Sequence, residues 1–186
     1  MEKIIKPDFT QLYLQQFDLL QELNDLLSSN KVHWHKNQIC FTTINDPTKI
    51  NDYTFGCGSL YTHFNPDGST TKKTKIYNES EFTVFVDMFN QTLFKDIYNY
   101  INSKYRIGRM RLIRSLPHTC LSWHYDDTTR LHYVLKTNEK CKMVIEDKCF
   151  HMPKDTWWEV DTTKYHTAFN GSLEERIHLV CCILQK

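Results

Sequence analysis

The sequence predicts a mainly β domain of jelly-roll type with helices at its N-terminal side. Three observations carry that reading. Two amphipathic segments occupy the first 105 residues. Only short strand-like runs at close intervals follow. No linker, repeat or low-complexity stretch divides the chain of 186 residues, which is long enough to bury a sizeable core as one domain.

The first helix is expected over residues 8 to 29, where Phe9, Leu12, Phe17, Leu20, Leu23 and Leu27 follow the spacing of one helical face. Residues 31 to 78 mix strand-like runs with turn signals such as Asn45-Asp46-Pro47 and Asn65-Pro66-Asp67-Gly68. Asn78-Glu79-Ser80-Glu81 resembles a helix start, and a second helix is expected to run to about Ser103 through Phe85, Met88, Phe89, Leu93, Ile97 and Ile101. After Tyr105 the expected strands are Arg109 to Arg114, Arg130 to Thr137, Lys142 to Glu146, Trp157 to Val160, Tyr165 to Phe169 and Arg176 to Leu184. Helices ahead of such a block fit the outside of a jelly roll. Residues 1–105 would then support the substrate side, and residues 106–186 would form the β core with its site.

Composition narrows the function. Apolar residues make up 40% and charged residues 24%, as in a globular protein and unlike a disordered one. The formal net charge is +1, so no global field draws a nucleic acid to the chain. The basic run Lys72-Lys73 with Lys75 reads as a solvated loop. No segment approaches the length of apolar chain that a membrane helix needs. The N-terminus lacks a signal-peptide core. Seven cysteines with no C-x-x-C pair read as free thiols in a reducing compartment, and the expected location is the cytoplasm.

Four features carry chemistry. In an extended segment His124 and Asp126 share a face and can reach one ion. Alone, the pair also fits a surface turn. His166 follows, as either a third ligand or an ordinary histidine. Two histidines and one carboxylate on one face of an octahedral ion leave three positions open, the arrangement of non-haem Fe(II) oxygenases. A structural zinc site would more usually recruit cysteine. Arg176 lies ten residues beyond His166, across a turn at Asn170-Gly171, so both side chains can reach one cavity. A guanidinium facing a cavity is costly unless it meets an anion, and the far carboxylate of a dicarboxylate that chelates iron would be one. Arg130 and His132 alternate with Leu131 and Tyr133, and periodicity alone leaves it open whether the polar set faces the cavity or solvent. Arg111 and Arg114 fall on opposite faces of one strand, so at most one points inward, where it would hold a substrate carboxylate. Trp34, Tyr53, Phe55 and Tyr61 fit either a pocket wall or core packing.

The stretches SWHYDDTTRLHYVLKTN and WWEVDTTKYHTAFNGSLEERIHLV resemble the aspartyl/asparaginyl β-hydroxylase branch of the 2-oxoglutarate oxygenases. The resemblance implies a double-stranded β-helix of cupin type. It implies iron on His124, Asp126 and His166, with 2-oxoglutarate held by Arg176 and with Arg130 and His132 close to it. The name-giving protein hydroxylases lack the carboxylate ligand that Asp126 would supply. In that respect the chain is closer to free-amino-acid hydroxylases such as proline hydroxylases. The implied activity is hydroxylation of an amino acid or amino-acid side chain, using O2 on a small-molecule or peptide substrate. The same iron chemistry on a nucleic acid, or a jelly roll that binds metal or carboxylate without turnover, are the alternatives.

Overall fold

The structure is a computed structural model that describes residues 7–185. The strands are β1 (Phe9–Leu12), β2 (Gln38–Cys40), β3 (Thr42–Thr43), β4 (Thr62–Phe64), β5 (Thr70–Lys72), β6 (Val84–Phe85), β7 (Arg106–Ser115), β8 (Thr119–Cys120), β9 (Arg130–Lys136), β10 (Cys141–Ile145), β11 (Lys148–Phe150), β12 (Trp157–Val160), β13 (His166–Asn170) and β14 (Arg176–Gln185), with helices α1 (Leu19–Ser28) and α2 (Leu93–Asn102). A six-stranded sheet of order β1-β12-β9-β14-β7-β2 faces a four-stranded sheet of order β11-β10-β13-β8. Every pairing in both sheets is antiparallel. This is the expected double-stranded β-helix.

Alternation along the three central strands explains what the large sheet does. Leu131, Tyr133 and Leu135 of β9, Ile177, Leu179, Cys181 and Ile183 of β14, and Met110 and Leu112 of β7 join one buried cluster with the helices. The intervening residues Arg130 and His132, Arg176 and His178, and Arg111 and Ile113 line a cavity on the opposite face. The polar set of β9 therefore faces inward. Periodicity left its orientation open because both faces are buried, and the usual apolar-in, polar-out contrast is absent.

Both expected helices are shorter than their hydrophobic spacing suggests. Residues 8 to 29 do not form one helix: Phe9–Leu12 pairs as β1 with β12, in the register Phe9 to Val160, and α1 begins only at Leu19. Phe9 stacks on Phe150 with centroids 3.8 Å apart, and the buried Asp8 carboxylate accepts hydrogen bonds from Lys148 and Lys164. These contacts with distant residues override local helical preference. In α1 the apolar stripe buries Leu19 and Leu23, while the Asp18 side chain caps the first turn.

The second helix does not start at Asn78. Asn78 and Glu81 do form a reciprocal capping box, but it opens only a single 3-10 turn, Glu79–Glu81. Phe82 then turns into one apolar cluster while Phe85 and Phe89 enter another. No single helical face can serve both, so the chain passes through β6 and a further 3-10 turn, Asp87–Phe89, before α2 begins at Leu93. In α2, Phe94, Ile97 and Ile101 are buried, and Phe94 stacks on Phe41 at 4.1 Å. Burying each such side chain stabilises the fold by about 1.5–3 kcal/mol.

The strands Trp157–Val160 and Arg176 onward stand where the sequence puts them, β7 is longer than expected, and β8 and β11 are additional short strands. All seven cysteines are free thiols. Among the described residues no helix is long and apolar enough to cross a membrane.

Gly108 allows the Glu79 turn to press against β7. A Cβ there would lie 2.4 Å from the Glu79 carbonyl oxygen. Backbone cannot yield as a flexible side chain does, so Gly108→Ala should destabilise the protein by about 1–3 kcal/mol, the usual cost of overpacking. A urea melt measures this, and an unchanged midpoint would show that the turn withdraws freely from the strand.

Candidate active site

His124 and His166 meet as an isolated antiparallel bridge at the mouth between the two sheets. Their backbones exchange both hydrogen bonds, at 3.1 and 2.7 Å, and their rings lie 4.4 Å apart. Two residues on, the Asp126 N–H donates to Thr162 O at 2.8 Å. The segment is thus stitched to the approach of β13 and stays extended enough for His124 and Asp126 to share a side. The ligand atoms of His124, Asp126 and His166 all lie within 4.8 Å of one another. Asp127, offset by one position, points elsewhere and accepts a hydrogen bond from Tyr61 at 2.8 Å.

The hydrogen-bond roles fix the tautomers. His124 Nδ1 is 2.7 Å from Ser122 O, and His166 Nδ1 is 2.9 Å from Lys164 O. A carbonyl only accepts, so both Nδ1 atoms carry the proton and both Nε2 lone pairs are free to bind a metal. Burial holds His166 below its usual pKa, which favours the neutral, ligating form. Burial works to raise the Asp126 pKa, but the charge and the 3.0 Å Nε–H bond of Arg130 prevail and hold it below the usual carboxylate range.

Behind Asp126 lies a buried ion network. Glu79, only 4% exposed, pairs with Arg109 at 3.1 Å and with Arg130, and lies 3.9 Å from Arg111. Arg109 also donates to the carbonyls of Gly56 and Gly58, which ties the loop after β3 to β7. Arg111 is the inward member of its pair: its Nη1 is buried without a hydrogen-bond partner. Arg114 faces the other way, over the Trp34 ring at 4.7 Å and towards Glu175.

At the other end of the same cavity, of about 90 Å³, stands Arg176. It is 6% exposed, and its nearest polar contact is His178 Nδ1 at 3.0 Å; no carboxylate pairs with it among the described residues. Burial pushes its pKa down to about 10. A guanidinium only donates, so His178 Nδ1 accepts and its proton resides on Nε2. That Nε2 and the Nε2 of His132 are both buried without partners. Burial and the Arg176 charge hold both rings well below the usual histidine pKa, and both are neutral. The cavity therefore holds an unneutralised cation and open hydrogen-bonding positions at one end, and three groups that could hold a metal at the other.

All six residues expected from the sequence line this cavity. His178 was missed, although its place two residues after Arg176 on a strand puts it on the same face. Glu79 and Arg109 were missed because nothing local marks a capping-box glutamate or a strand arginine as partners. Of the four aromatic wall candidates only Tyr61 lines the vestibule outside the metal site. Tyr53 and Phe55 pack against Phe89 and Phe82, and Trp34 lies under Arg114.

Several known proteins are similar to this chain. L-proline cis-4-hydroxylase of Rhizobium meliloti (strain 1021) is 38% identical over 76 residues, covering 38% of this chain and 27% of that protein. The chain thus spans about a quarter of the length of this curated relative. Among solved structures, the viral collagen prolyl hydroxylase of Paramecium bursaria Chlorella virus-1, in its 2OG complex, aligns over 95% of each chain with 14% identity and a TM-score of 0.48. A 2OG-Fe(II) oxygenase family oxidoreductase of Burkholderia pseudomallei aligns over 52% of each chain with 16% identity and a TM-score of 0.39. Residues 72–186, which contain His124, Asp126 and His166, the ion network's Glu79 and Arg176, match the family model described as Aspartyl/Asparaginyl beta-hydroxylase. With well over half its length inside that match, the chain belongs to the aspartyl/asparaginyl β-hydroxylase family.

Proposed function

We propose that the chain is an Fe(II)- and 2-oxoglutarate-dependent dioxygenase that hydroxylates an unactivated carbon of an amino acid or amino-acid side chain. The observation that carries the reading is Arg176, a buried guanidinium with no carboxylate partner among the described residues, in the same cavity as His124, Asp126 and His166. A metal-binding jelly roll without turnover has no use for such a group. A dicarboxylate cosubstrate does, since its far carboxylate must be neutralised away from water.

In this reading His124 and His166 hold Fe(II) through Nε2 and Asp126 holds it through its carboxylate. When bound, iron with 2-oxoglutarate and O2 supplies the oxidising power to replace C–H by C–OH, with succinate and CO2 as co-products. The protein's own groups set the geometry. Arg130 keeps Asp126 ionised and fixes the rotation of its carboxylate. Arg176 and the Nε2–H of His178 receive the distal carboxylate, and His132 Nε2 faces the same space. Ile113, Leu121, Met143, Ala168 and Val180 form an apolar wall that limits water. Arg111, whose Nη1 lies 3.9 Å from Glu79 without a hydrogen bond, is left for a substrate oxygen in the vestibule. Residues 1–105 supply that vestibule's outer wall and residues 106–186 the metal-bearing core. A small amino acid of the kind named for the Rhizobium relative fits this scheme.

Arg176→Ala should weaken 2-oxoglutarate binding by roughly 30-fold or more, because truncating one member of a buried charge pair costs about 2–5 kcal/mol. Anaerobic calorimetry on the iron-loaded proteins reads this directly, and equal affinities would move the carboxylate elsewhere. Asp126→Gly should abolish succinate formation while circular dichroism stays native. Asp127 is engaged by Tyr61 and cannot take over as ligand, so wild-type turnover in this variant would show that two histidines suffice.

A further inference from the structure

Two of the seven thiols touch each other. Cys40, the last residue of β2, and Cys57, in the segment between β3 and β4, bring their sulfurs to 3.6 Å. Among the described residues no other two thiols are in hydrogen-bonding contact. Cys141 turns to Asn170, Cys182 to Arg130 and Cys120 to Thr167.

Both sulfurs are held in place. The Cys40 N–H donates to Tyr53 O at 3.2 Å, and Cys57 Sγ lies 3.4 Å from the same carbonyl. The Cys57 N–H closes a turn on Thr54 O at 3.0 Å. Glycines on either side of Cys57 admit the approach. A Cβ at Gly56 would lie 3.0 Å from Cys40 Sγ, and Gly58 takes a φ of 79°. Arg109 clamps the carbonyls of both glycines, and β2 sets Cys40 opposite Arg111 of β7.

Two thiols in contact can hold a metal or form a disulfide. A metal needs further ligands. Among the described residues His124, Asp126 and His166 are the only group of three or more side chains placed to hold one. A disulfide needs only the two sulfurs and a short further approach. Access decides which sulfur reacts first. Cys40 is fully buried, whereas Cys57 is 3% exposed and sits beside Gly58 and Ser59, which line the vestibule. Residues 44–61 hold no strand or helix, so local opening reaches Cys57 before it reaches Cys40 within the sheet. Contact with Cys40 and burial push the Cys57 thiol up, so the resting pair is the dithiol.

We propose that Cys40 and Cys57 are a reversible disulfide site, closed by a peroxide and reopened by a dithiol, which staples the vestibule wall to β2. Hydrogen peroxide takes the Cys57 thiol to a sulfenic acid as the O–O bond breaks and one water leaves. The Cys40 sulfur then attacks that sulfur. The S–S bond forms, and the hydroxyl leaves as a second water with the Cys40 proton. Two thiols and one peroxide give one disulfide and two waters, and the two electrons lost by the sulfurs go to the peroxide. Thiol–disulfide exchange reverses the change. The closed bond ties residue 57 to residue 40 and restrains the opening of Gly58 and Ser59. This chemistry needs no metal.

The test uses the full chain in its native state. N-ethylmaleimide first caps the exposed Cys120 and Cys149. Hydrogen peroxide is added, the protein is unfolded in fresh maleimide, and trypsin parts the two cysteines at Lys49. Mass spectrometry should find one dominant cross-link, between the Cys40 and Cys57 peptides, two hydrogens lighter than the free pair and absent after dithiothreitol. The melting temperature should rise by roughly 5 °C on oxidation and fall back on reduction. Cys57→Ser should lose both the cross-link and the rise. Cys40→Ala should do the same, and it serves as the control should Cys57→Ser fail to fold. A different dominant pair, a sulfonic acid at Cys57 without a cross-link, a cross-link that forms only in urea, or a melting temperature that the cross-link leaves unchanged would overturn the proposal.

Discussion

Glu79 is the carboxylate on which the arrangement of the site depends. It comes from the N-terminal half of the chain and is buried against guanidiniums of β7 and β9. Arg130 passes the constraint on, with one side at Glu79 and Nε on Asp126. Arg109 passes it to the loop at Gly56 and Gly58. Taking several charges out of water costs several kcal/mol each, and only mutual pairing with further hydrogen bonds offsets this. Such a network adds little net stability. Its value is that one arrangement satisfies it, which places the Asp126 carboxylate beside the two histidines and the vestibule wall next to them.

The large sheet separates scaffold from chemistry strand by strand. On β7, β9 and β14 one set of alternate residues packs under the helices and the other set lines the cavity. Each arginine and histidine of the site therefore sits between apolar neighbours locked in the core, which gives it little freedom to tilt. Met143, Ala168 and Val180 contribute the cavity's apolar surface, so Arg176 keeps its charge in a setting that disfavours it. Preorganised donors of this kind need no reorganisation when an anion arrives.

The sequence made the β core and the site legible for different reasons. Turn-bounded runs of β-branched and aromatic residues marked β9, β12 and β14. The meeting of His124, Asp126, His166 and Arg176 in one cavity was legible because metal and carboxylate chemistry restricts residue type and spacing. The N-terminal half was read less well. Phe9 and Leu12 fit a helical stripe, yet β12 supplies a free edge that claims them, and nothing within residues 8 to 29 reveals that edge. The capping box at Asn78 was a true helix signal for a helix that ends after one turn, since Phe82 and Phe85 are drawn into separate clusters. Glu79 carried no local mark at all, because its partners lie far along the chain.

The order of strands in the large sheet also governs when this protein can fold. β14, the last strand described, lies between β9 and β7, and β1 near the start pairs with β12. During synthesis the sheet's centre stays open until residues 176–185 leave the ribosome. Until then β7 and β9 each lack a neighbour, and the arginines and histidines between them have no enclosed cavity. Long-range pairing of this kind makes folding slow and leaves unpaired edges exposed to other chains in the meantime. The cavity that brings His124, Asp126 and His166 together with Arg176 is therefore enclosed only once β14 has joined the sheet.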